Sequence, residues 1–171
     1  MKIASLLGRM QGYPGALQSL LGDLPAEDAR WRPDPDTWSI VEIVCHLADE
    51  EHEDFRARLR LTLEDPAADW PPLDPQAAVV TRAYQERDLV ECLERLAEAR
   101  RESSKWLRGL SAPDWDRVHE HAVLGPVRAG DVMLSWAAHD ALHLRQLAQR
   151  LFQLAQRDAP GYSPTYAGDW F

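Results

Sequence analysis

Leucine, isoleucine and valine recur along this chain at spacings of three and four rather than in strict alternation, the pattern of helices that bury one face. Four long helices are predicted. The first covers Lys2 to Leu21, with Leu6, Leu7, Met10, Leu17, Leu20 and Leu21 on its apolar side. Pro14 lies inside it and must kink or restart it, because proline has no N–H and crowds the preceding turn. The second opens with Ser39 and Glu42 in the S-x-x-E spacing of a capping box and runs to about Leu63. Its inward stripe is Ile40, Ile43, Val44, Leu47, Phe55, Leu59 and Leu63. Asp74 followed by Pro75 reads as an N-cap with proline at the first helical position, opening a third helix that extends toward Leu110. Asp131 caps a fourth that runs to about Gln156, with Met133, Leu134, Trp136, Leu144, Leu147, Leu151 and Phe152 among its apolar residues.

Between these helices lie proline-rich connections. Leu24 to Trp38 and Glu64 to Asp74 each carry three prolines, and a long connection runs from Ser111 to Gly130. Trp31 and Trp38 are too large and apolar to be left in water, so the first connection is expected to fold over one end of the helices. The expected fold is all-α: a four-helix bundle with crossovers longer than an up-and-down bundle requires. One domain spans residues 1–171, with an irregular tail from about residue 157.

Composition narrows the function. The 171 residues carry 19 basic and 28 acidic side chains, a formal net charge of −9, which repels a phosphate backbone and argues against nucleic acid. No apolar run reaches 18 residues and the N-terminus lacks a signal-like segment, so a membrane span is not expected and a cytoplasmic location is. Two cysteines, Cys45 and Cys92, exclude a disulfide scaffold. Both read as packing residues, with no flanking basic group or helix start evident to activate either thiol.

The six histidines carry the chemistry. His139 and His143 stand four apart on the fourth helix, about 5–6 Å between Cβ atoms, in one strip with Trp136 and Leu147 that faces the bundle interior. His46, beside Leu47 on the second helix, completes a set of three donors from two facing helices. Three neutral imidazoles with an open position suit zinc in hydrolytic sites, and nickel, iron, manganese or cobalt accept the same donors. A cation so held lowers the pKa of a bound water or thiol and makes a nucleophile of it. The same spacing also fits hydrogen-bonded core histidines without metal. His52, His119 and His121 read as surface or loop residues. Glu50 and Glu53, one and two turns beyond His46, are the nearest candidate bases, although glutamates in the run DEEHED are expected to be exposed. Asp140 is a candidate to orient a ligand imidazole, or a surface residue one position round the helix.

The runs TWSIVEIVCHLADEE, RLAEARRESSKWLRGLSAPDWDR and AAHDALHLRQL together resemble the DinB/YfiT-like family of small bacterial metal-binding bundles, from about Leu17 to Leu151. The resemblance implies that His46, His139 and His143 hold a divalent metal at one end of the bundle, zinc or nickel foremost. It also implies a small-molecule substrate, with a homodimer common in the family. Relatives include S-transferases that use a low-molecular-weight thiol, a maleylpyruvate isomerase and metal-dependent hydrolases. The resemblance therefore implies a metal-dependent enzyme that activates a thiol or water, beside which stand a non-catalytic metal-binding stress-response module and a purely structural bundle.

Overall fold

The computed structural model describes residues 2–170 and contains the four long helical stretches, with additions in every connection. Helix α1 spans Ile3–Leu21 and continues through Pro14 without a break. Its continuity has a local cause. Proline leaves the Met10 carbonyl without its usual i+4 donor, and Nη1 of Arg100, from a helix on the other side of the core, donates to that oxygen at 2.7 Å. The first connection folds over the bundle as expected and holds a short helix α2 at Ala26–Arg30.

Helix α3, Ile40–Glu50, starts at the predicted capping box: Glu42 N–H meets the Ser39 hydroxyl, and the Glu42 carboxylate accepts from Ser39 N–H at 2.8 Å. The single helix predicted to Leu63 is interrupted. Glu51–Arg56 winds as a π-helix before α4 resumes at Ala57–Glu64. The apolar stripe hints at this, since it passes over the seven residues between Leu47 and Phe55, which include DEEHED. A π-turn holds more residues per turn than an α-turn, which accommodates that gap while sending the adjacent Glu50 and Glu51 to different neighbours.

The third predicted helix is two. Helix α5 covers Pro75–Thr81 with the expected Asp74 cap, whose carboxylate accepts from Ala77 N–H at 2.9 Å. Ala83 then takes a left-handed conformation (φ 49°), a 3₁₀ turn follows at Tyr84–Glu86, and α6 restarts at Leu89–Gly109 with Asp88 as cap. No glycine or proline marks the break; local caps outcompete the periodicity. The connection after α6 contains an unpredicted hairpin, β1 Val118–His121 paired antiparallel with β2 Gly125–Arg128. Helix α7 spans Ala129–Asp158. Asp131 is not its N-cap but the third helical residue, where its carboxylate accepts from Arg128 N–H at 3.0 Å. Past α7 the tail contains one 3₁₀ turn, Pro164–Ala167, and lays Trp170 on Phe152.

Every residue of α3 is buried, because α6, α2, α7 and the segment around α5 surround it. The acids on and after it are therefore placed in low dielectric and need positive partners. Arg32 pairs with Glu42 and Arg58 with Asp54, while Arg82 and Arg95 both reach Asp49. Arg100 makes the central contact. All five of its N–H donors are used: on both Glu51 oxygens, on both Asp140 oxygens and on the Met10 carbonyl, at 2.7–2.9 Å. One guanidinium thereby joins α6 to α1, to the π-turn and to α7.

Removing Arg100 strands two buried carboxylates. Arg100→Leu is expected to lower unfolding free energy by about 3–5 kcal/mol in urea denaturation, and adding Glu51→Gln and Asp140→Asn to the same chain is expected to restore most of it.

Candidate metal centre

His46 projects from the second turn of α3, and His139 and His143 from successive turns of α7, so the two helices bring together the three imidazoles as the spacing predicts. One ring nitrogen from each lies within 4.8 Å of the other two. Nε2 of His139 and Nε2 of His143 are 3.0 Å apart, and the His46 ring centroid is 5.6 Å and 4.9 Å from theirs. A metal–nitrogen distance of about 2.0–2.1 Å sets neighbouring ligand nitrogens roughly 3 to 3.4 Å apart. The pair on α7 already has that separation, and a small movement of His46 completes it.

Burial sets the protonation of these rings. Desolvation, reinforced by His143, pushes His46 down to about 3. Desolvation and the neighbouring His143, His46 and Arg100 push His139 down to about 3 as well. His143 is lowered by burial too, partly offset by its contact with Gln146. Nδ1 of His143 lies 2.8 Å from Gln146 Oε1. An amide oxygen can only accept, so Nδ1 carries the ring proton and Nε2 presents its lone pair to the centre of the cluster. Gln146 thus does for His143 what Asp140 was expected to do for a ligand. Asp140 is buried, but its carboxylate is taken by Arg100.

Glu50 departs most from expectation. It is 7 % exposed rather than a solvated charge, and its two oxygens lie 3.4 Å from His46 Nδ1 and 3.3 Å from His139 Nε2. Burial first, then Asp54, push it up to about 8, against the distant pull of Arg58. Its signal was present in the sequence as the i+4 relation to His46, outweighed by the general exposure of glutamates. Among the described residues Glu50 ion-pairs with no arginine or lysine, unlike Glu42, Asp49, Glu51, Asp54 and Asp140. Three neutral imidazoles and one acid without a counter-charge form a donor set that fits a divalent cation.

Aromatic rings enclose the cluster. Trp38 meets His46 edge-on at 4.9 Å, held by Arg150 Nε donating to the Trp38 carbonyl at 2.7 Å, and Phe55 lies 4.9 Å from His139. Trp136 stacks on Phe55 from within the core and gives its N–H to Glu51 at 2.9 Å, so it supports the wall rather than lining it. Glu53 does not join the site; it pairs with Arg82. His52 stays at the surface. His119, read as a surface or loop residue, lies in β1 and is buried: its ring stacks on Trp70 at 4.4 Å, and its Nδ1 is 3.0 Å from the Pro66 carbonyl oxygen. His121 also contacts Trp70, and neither enters the cluster.

Comparison with known proteins bears on the fold and the family. No curated protein sequence matches the chain. A solved structure matches the fold with a TM-score of 0.79 at 16 % identity, over 90 % of this chain and 88 % of the other. That protein is YfiT from Bacillus subtilis, described as a probable metal-dependent hydrolase with an unusual four-helix bundle topology. The model of the DinB superfamily matches residues 12–147, most of the chain and a span that includes the three clustered histidines, and the chain belongs to that superfamily.

Proposed function

We propose that the protein is a metal-dependent enzyme of the hydrolase type, with His46, His139 and His143 as ligands of one divalent cation and water as the nucleophile. The observation that carries this reading is Glu50: an acid buried against three neutral imidazoles, the one member of its buried set without an arginine. The description of YfiT as a probable metal-dependent hydrolase supports the same class. A divalent cation in this position supplies Lewis acidity, lowering the pKa of a water or thiol bound to it.

The protein's own groups supply the rest. Gln146 holds His143 in the tautomer that offers Nε2. Glu50, within 3.4 Å of two of the rings, accepts the proton that the nucleophile gives up and returns it to the leaving group, and burial favours its holding that proton in between. Trp38 and Phe55 exclude bulk water and offer an apolar wall to the substrate. Transfer of a low-molecular-weight thiol remains within the same chemistry, because a thiol in place of water requires only a different occupant of the open position.

Protein purified without a histidine tag is expected to contain about one equivalent of divalent metal, zinc or nickel, by elemental mass spectrometry. His143→Ala is expected to lose it, together with the rise in Tm that added metal gives the native chain. No metal in the native protein, or an unchanged content in His143→Ala, overturns the assignment. With activated esters and amides as substrates, Glu50→Gln is expected to keep the metal and lose about 100-fold or more in turnover. A metal-loaded protein inactive on these, yet active with a thiol and an electrophile, moves the assignment to transfer.

The metal-free protein makes a separate prediction about pH. His46 and His139 have folded values near 3 against ordinary values of 6.5, so the unfolded chain protonates first. Their contribution to stability is complete above 6.5 and is lost as pH falls toward 3. Glu50 has the opposite sign: raised from 4.5 to about 8, its contribution is complete below 4.5 and lost as pH rises through 8. Between about pH 7 and pH 5, urea unfolding is expected to show a loss of stability that is shallower in His46→Ala and steeper in Glu50→Gln.

A further inference from the structure

Two arginines are buried among the described residues, and the structure meets them differently. Arg100, 3 % exposed, directs four of its five N–H donors at the carboxylates of Glu51 and Asp140. Arg150, 5 % exposed, uses only two donors, both on neutral acceptors: Nε on the Trp38 carbonyl at 2.7 Å and Nη1 on Gln153 Oε1 at 2.6 Å. The other three N–H groups, both of those on Nη2 among them, have no acceptor among the described residues. Burial holds this guanidinium below its ordinary value, and exposed Asp34 opposes that from a distance without forming an ion pair. Nη2 still reaches the surface, since it is not one of the polar atoms sealed in the interior without a partner. A cation taken out of water and left without an anion is costly, and Arg150 is the one buried arginine in that position.

Its place on α7 ties it to the histidine cluster. His139, His143, Gln146 and Arg150 follow one another at intervals of four, three and four, so they share one face of the helix. The rise of a helix sets the Cα atoms of His143 and Arg150 about 10 Å apart. Helical side chains lean toward the N-terminus, which carries the guanidinium back toward Gln146 and His143. There it holds the backbone of Trp38, whose ring stands edge-on 4.9 Å from that of His46.

We propose that the unspent N–H groups of Arg150 bind a carboxylate of the substrate, so that the enzyme acts on esters or amides carrying a carboxylate at the end away from the bond that is cleaved. This substrate class rests on the hydrolase reading above; the carboxylate subsite itself does not. The planar guanidinium matches the two oxygens of a carboxylate. One cation balances one negative charge, whereas the chain's net charge of −9 opposes a dianion such as phosphate. The Trp38 ring, between the subsite and the imidazoles, offers an apolar surface to the carbon skeleton that joins the carboxylate to the reacting group. Anchored at that end, the substrate is oriented before it reacts.

The test is isothermal titration calorimetry of the full-length protein, as purified, with para-bromobenzoate and with its neutral counterpart para-bromobenzamide. The native chain is expected to bind the acid at least about tenfold more tightly, as a charge-assisted pair does over a neutral one. His143→Ala is expected to keep this preference and Arg150→Gln to lose it. A native chain that prefers neither probe overturns the proposal, as does a preference that Arg150→Gln retains. A preference lost in His143→Ala places the anion at the imidazoles instead and overturns it too. Should Arg150→Gln not fold, native crystals soaked with para-bromobenzoate decide: the bromine anomalous peak is expected where the carboxylate meets Arg150, and a carboxylate bound elsewhere overturns the subsite. In turnover, Arg150→Gln is expected to raise KM for mono-para-nitrophenyl glutarate at least about tenfold more than for the neutral butyrate ester, with the loss in KM rather than kcat. A chain that prefers the acid yet cleaves neither ester upholds the subsite and overturns the hydrolase reading together with the substrate class.

Discussion

A charge taken out of water must be met by an opposite charge or by several hydrogen bonds, and at the centre of this bundle that requirement organises the packing. Helix α3 is buried on all its faces, yet it and the turn after it carry Glu42, Asp49, Glu50, Glu51 and Asp54. The neighbours answer with arginines: Arg32 from the first connection, Arg82 from the end of α5, Arg95 and Arg100 from α6, and Arg58 from α4. Each pair fixes where its element can lie. Arg100 does so for α1, the π-turn and α7 together, and Asp140 and Glu51, which it grips, are the residues next to His139 and Glu50. The convergence of the histidines is in this way a consequence of charge compensation one residue away.

The exception within this pattern is informative. Glu50 has histidines where its neighbours have guanidinium groups, and those histidines are kept neutral by their own burial. In the proposed reading, a dipositive ion at the meeting point of the three ring nitrogens would balance this acid and give the lone pairs of the cluster something to bind. The π-turn belongs to the same arrangement. By taking up an additional residue directly after Glu50, it lets one acid face the imidazoles and the next face Arg100.

The parts of this structure that were legible in the sequence are those written in local periodicity. The capping box at Ser39, the Asp74–Pro75 helix start, the apolar faces of the four long helices and the pairing of His139 with His143 all follow from spacings of three and four, and so does the placement of His46 on the facing helix. What escaped depends on partners distant in the chain. Nothing near Glu50 announces that its helix is surrounded, and nothing near Pro14 shows that Arg100 will take the carbonyl it leaves free. The hairpin that buries His119 against Trp70 has the same character. Gln146 rather than Asp140 meets a clustered imidazole, because a helix face seen alone does not reveal which acceptor an arginine across the core will occupy.

The account rests on a cation completing the charge balance around Glu50, and crystals grown without chelator test that most directly through anomalous scattering. A single strong peak at about 2.0–2.2 Å from one nitrogen of each of His46, His139 and His143 is the expected result. Density showing His139 and His143 hydrogen-bonded to each other, with no scatterer between them and His46, would contradict it.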